Sequence, residues 1–113
     1  SSAHREIQLM LEEAMRGRVH DWKWEKQGNK NTRVLKGAMG VLDQIMDKQS
    51  LEAEDIVKHL HKLLTEGRLH LMDNDLSKLI ICLAKCEVAI QKTSQPRIEL
   101  EKFMMNVAEI SNQ

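Results

Sequence analysis

The sequence predicts an all-α fold: a five- to six-helix bundle, orthogonal or up-down, forming a single domain over residues 1–113. Three observations carry that reading. Apolar residues recur at spacings of three and four along most of the chain, the period of one helix face, while strict alternation over a strand's length is nearly absent. An apolar share of 42% beside 30% charged residues suits a chain that can bury a core, whereas disordered chains fall lower in the first and unbalance the second. A length of 113 residues leaves room for one domain, which excludes a multi-domain enzyme.

The first helix is expected over residues 5–16, with Ile7, Met10, Leu11 and Ala14 on one stripe and Gly17 at the C-terminal glycine position. Residues 18–32 read as a loop insertion, because the pattern lapses into Gln27-Gly28-Asn29-Lys30-Asn31 around an isolated Val19, Trp22 and Trp24. A second helix follows over 32–48 on Leu35, Ala38, Leu42 and Ile45, despite Gly37 and Gly40, each costing about 1 kcal/mol against alanine in a helix interior. Two readings of that pair stand: close approach of another helix, or tolerated surface glycines. Ser50 is a good N-cap for a third helix over 51–66, whose Glu52, Glu54 and Asp55 suit the positive end of the helix dipole; Gly67 ends it.

Residues 76–92 are apolar on most of their circumference. Leu76, Leu79, Ile80, Leu83, Cys86 and Ile90 form one stripe, with Ile81, Cys82, Val88 and Ala89 off it. Such a helix is wrapped by others, so it is expected to be the central rod. Ser94-Gln95-Pro96 then restarts the chain with a cap residue and a proline near the first helical position, ahead of Leu100, Phe103, Met104 and Val107.

Seventeen basic residues balance seventeen acidic ones, so no global field draws the chain to nucleic acid or an anionic membrane, and any such site must be local. No apolar run approaches the length of a membrane span. Ser1-Ser2-Ala3-His4 has neither a signal pattern nor a starting Met, so two readings stand: a fragment cut from a longer protein, or a chain that carries a few foreign residues at its start. Cys82 and Cys86 lie one helical turn apart and make a poor staple; they are expected reduced and buried, in a cytoplasmic or nuclear setting.

Catalytic and metal chemistry find no foothold in the sequence. His59 and His61 diverge by about 200° on a helix and cannot chelate together. The two cysteines lack the third and fourth ligands of a structural zinc. There is no Gly-x-Ser-x-Gly elbow and no glycine-rich phosphate loop, so the chain is read as a non-enzyme without a cofactor. One segment departs from background. Between residues 16 and 36, Arg16, Arg18, Lys23, Lys26, Lys30, Arg33 and Lys36 stand against Asp21 and Glu25, interleaved with Trp22 and Trp24. Cations beside aromatic faces are what phosphates and unstacked bases call for, which makes this a candidate nucleic-acid contact. The bland alternative is a solvated loop whose tryptophan tucks back onto the bundle.

Two segments carry a family resemblance. Leu51-Glu52-Ala53-Glu54-Asp55-Ile56-Val57 resembles a helix start in the C-terminal domain of replication factor C small subunits. From residue 76 to 110, Leu79, Leu83, Ala84, Glu87, Ala89 and Ile90, then Gln95-Pro96-Arg97-Ile98 and Leu100-Glu101, look like that family's final helical hairpin. A similar hairpin occurs in the γ/τ and δ subunits of bacterial DNA polymerase III. The resemblance implies a clamp-loader collar domain, the C-terminal helical module that holds subunits in a ring while separate ATPase domains load a sliding clamp on primed DNA. The implied partners are other clamp-loader subunits, as homo- or hetero-oligomer, with DNA contact, no membrane and no small-molecule substrate. The chain departs from the family in lacking a Walker A lysine and in its long, tryptophan-rich segment 18–33. Large apolar side chains off the core stripes should be covered by a neighbour, which nominates Met72, Ile81, Val88, Ile98 and Met105 as the subunit interface. A free-standing adaptor that takes a partner helix in a groove is the third reading.

Overall fold

The computed structural model describes residues 2–113, opening on α1 (Ser2–Met15). The stripe Ile7, Met10, Leu11 and Ala14 is wholly buried. Gly17, at φ +81°, ends the helix in the left-handed region, and its N–H donates to the Ala14 carbonyl.

From residue 21 onward the expected loop 18–32 is a hairpin. β1 (Asp21–Gln27) and β2 (Lys30–Lys36) form an antiparallel hairpin, in register from Asp21↔Lys36 to Gln27↔Lys30. The two-residue connection Gly28-Asn29 places glycine at its first central position with φ +64°, the conformation a type II′ turn requires there. Among the described residues the fold is therefore mostly helical, at five helices and 65% helix, with one two-stranded sheet, rather than purely all-α. Trp22 and Trp24 alternate with charged residues in β1, β2 shows no regular apolar alternation, and no residue of either strand is fully buried.

α2 (Gly37–Lys48) begins five residues later than expected, since residues 32–36 are spent on β2. Its glycines meet backbone, not a helix. Gly37 has φ +78°, and a Cβ built there would lie 2.5 Å from the Arg18 carbonyl oxygen; one on Gly40 would overlap the Leu35 carbonyl oxygen. The N–H groups of Ala38 and Met39 donate to the carbonyls of Arg18 and Val19 at 2.8 and 2.9 Å, satisfying donors that a helix start leaves open. Ser50 corrects a second expectation. At φ +53° it is the left-handed exit from α2, and Glu52 is the residue that precedes α3 (Ala53–Thr65).

α4 (Asp73–Ile90) and α5 (Pro96–Ser111) complete the bundle, with Pro96 in the first turn of α5 and Gln95, not Ser94, at its N-cap. The middle is shared by α1, which packs against α2, α3 and α5, and α5, which touches all four other helices. α4 lies at the edge, against α3 and α5, and buries only Leu79, Leu83, Cys86 and Ile90. The expectation of a central α4 fails for a physical reason: three helices already share the core with α1, so no chain remains to cover the outer side of α4. No helix among the described residues is long and apolar enough to cross a membrane.

Candidate functional site

The hairpin sorts the basic segment into three groups. Strand alternation places Trp22, Trp24 and Lys26 on one face, opposite Leu35, Arg33 and Asn31. Both tryptophans are open to solvent, Trp22 at 52% and Trp24 at 71% exposure, and the Arg33 guanidinium sits 4.8 Å from the centre of the Trp22 ring. Lys23 and Lys30 share the opposite face with Asp21 and Glu25. There Lys36 pairs with Glu25 at 2.7 Å and Lys23 with Asp21 at 3.7 Å. Arg16 and Arg18 lie off the sheet, both on Glu13: Arg18 Nε donates to Glu13 Oε2 at 3.0 Å, while Arg16 stands at 3.7 Å. The Arg18 hydrogen bond holds the Glu13 carboxyl below the usual range and raises the guanidinium in turn. Of the eight expected nucleic-acid residues, four therefore share one surface: Trp22, Trp24, Lys26 and Arg33.

The five expected interface residues, Met72, Ile81, Val88, Ile98 and Met105, are all half or more exposed. Ile81 and Val88 stand two turns apart on the outer ridge of α4, and Ile98 and Met105 two turns apart on the outer ridge of α5. Lys78, Lys85 and Lys92 flank the α4 pair at helical spacing. Met72, at the N-cap of α4, stands apart from the other four. A groove of about 430 Å³ also opens between α3 and α4, with Val57, Ile80 and Ala84 along it and Lys58, His61 and Glu87 at its rim.

Periodicity could not foresee the pairing of His4 with His59, residues far apart in sequence. Their Nδ1 atoms lie 3.0 Å apart, so one ring donates to the other across the α1–α3 contact. Burial, followed by the charge of His4, pushes His59 below the ordinary imidazole value. Cys86 is buried and its thiol donates to the Glu99 carbonyl at 3.5 Å; burial, followed by the Glu99 charge, pushes it up to about 11. Cys82 is a free thiol of intermediate exposure, a partial correction to the expectation that both are buried. Among the described residues no group of three or more His, Cys, Asp or Glu is arranged to hold a metal ion. No family model, no curated protein and no solved structure matches the chain.

Proposed function

We propose that this chain is an assembly module whose outer α4–α5 surface docks against a sister subunit, in the manner of a clamp-loader collar. The observation that carries the reading is the outward ridge of α4. Lys78, Ile81, Lys85, Val88 and Lys92 follow one another at intervals of three and four, so the helix offers its own bundle four buried residues and leaves an aliphatic, basic stripe unused. A partner face that is apolar and acidic fits that stripe. Ile98 and Met105 extend it onto α5. The narrower assignment, to DNA replication, rests on the resemblance of residues 51–61 and 76–110 to the collar sequences. In this role the chain does no chemistry; it holds subunits in register by packing.

Sedimentation of the purified chain over a wide concentration range tests the docking surface. A mass that rises with concentration, and returns to the monomer in Ile81→Glu and Val88→Glu, is expected; a chain that stays monomeric at millimolar concentration argues against self-assembly. The replication assignment further expects a Walker A sequence upstream in the parent reading frame.

A further inference from the structure

We propose that the tryptophan face of the β-hairpin binds single-stranded nucleic acid, with bases stacking on Trp24 and Trp22 and phosphates held by Arg33 and Lys26. In the linear sequence Asp21 and Glu25 dilute this basic segment. The strand register removes that objection, because both acids point to the opposite face, where Lys23 and Lys36 pair with them. The tryptophan face carries no carboxylate. Neither Lys26 nor Arg33 enters an ion pair among the described residues, so their charge is available to a phosphate backbone.

The aromatic geometry selects the ligand class. Trp22 and Trp24 are two residues apart on one strand, about 6.6 Å, roughly twice the ~3.4 Å stacking step of a nucleotide strand. That spacing admits one base between the rings or one base on each. Arg33 stands over the Trp22 ring at 4.8 Å, and its guanidinium N–H groups make no ion pair among the described residues, which leaves them for a phosphate. Trp24, at 71% exposure, is left as the principal stacking surface. Bases paired in a duplex do not present their faces, so a single strand is the fitting partner. A protein or lipid partner fits less well. Leu35, half-buried at the base, is the one aliphatic residue on this face, too little to surround two aromatic anchors with a dry apolar rim.

The test is a titration of the intact chain into a fluorescein-labelled oligothymidylate, read by anisotropy and by tryptophan quenching. Saturable binding is expected at low salt, with log K falling against log salt at a slope of about −0.7 per phosphate contacted. Trp24→Ala is expected to weaken binding about ten-fold or more. Arg33→Ala and Lys26→Ala should each flatten the salt slope by about 0.7. These side chains are exposed, so unchanged helical circular dichroism certifies that the variants fold. Ile81→Glu on α4 leaves the affinity untouched, which separates this site from the assembly surface. The proposal is overturned by an absence of saturable binding at the lowest salt or by full affinity in Trp24→Ala. Tighter binding of the matching duplex overturns it too, as does a hairpin that captures anionic vesicles or a second copy of the chain but no oligonucleotide.

Discussion

The β-hairpin and the α4–α5 pair are both antiparallel ribbons joined to the α1–α3 body, and they are held to it by opposite means. The hairpin is fastened at its base by backbone: the segment before β1 runs against Gly37, and the end of β2 against Gly40. The helical pair is fastened by side chains, with Leu79, Leu83, Leu100, Phe103, Met104 and Val107 sunk in the core. Each keeps an outer face that its own molecule does not cover, aromatic and basic on the hairpin, aliphatic and basic on α4. Backbone docking needs the absence of side chains and leaves almost no apolar signature. Side-chain docking leaves so strong a signature that it overstates how much of the helix is inside.

The largest effect should come from the side-chain half of this contrast. Phe103→Ala is expected to cost about 3–5 kcal/mol, against under about 0.5 kcal/mol for Ile81→Ala one helix away, as read from urea midpoints. Equal losses would mean that the outer ridge is part of the core and would end the docking proposal as well.

Next comes the backbone half. Alanine ordinarily stabilises a helix relative to glycine by about 1 kcal/mol, yet Gly40→Ala should destabilise by about 1–3 kcal/mol, because the new methyl overlaps the Leu35 carbonyl. A stabilised Gly40→Ala would show that the hairpin base is not held by close approach.

The smallest effect is chemical. Cys86 faces inward beside α5 while Cys82 is partly open, so a maleimide should label one thiol in the folded chain and both after denaturation. The same burial gives an alkaline limb to stability. An unfolded thiol loses its proton near 9.0 and the folded one near 11, so stability is whole below pH 9 and declines as pH rises toward 11. Cys86→Ala should remove that limb; its persistence in the variant would assign the decline to other groups.

The buried stripes of α1 and α5 were legible in the sequence residue by residue, and so were the terminating glycines Gly17 and Gly67, since both follow from local periodicity and local backbone preference. The five outward apolar residues were legible too, as those the stripes did not use. The hairpin was not, although Gly28-Asn29 between two seven-residue runs is a turn signal, because the period of two is marked by Trp22 and Trp24 alone and β2 does not repeat it. Ser50 misled for a related reason: serine favours helix starts, and here the path of the chain out of α2 puts it in the left-handed region instead.

What the sequence by itself determined is the set of amphipathic faces and the points where helices stop, because those depend on neighbours within a turn or two. Only the tertiary structure decided which helix sits in the middle, which glycines lie under another strand of backbone, and on which side of the hairpin Asp21 and Glu25 fall. The first is settled by segments distant along the chain competing for the same limited volume and the others by how the hairpin pairs and closes onto α2, and a helical period read along one segment carries no record of either.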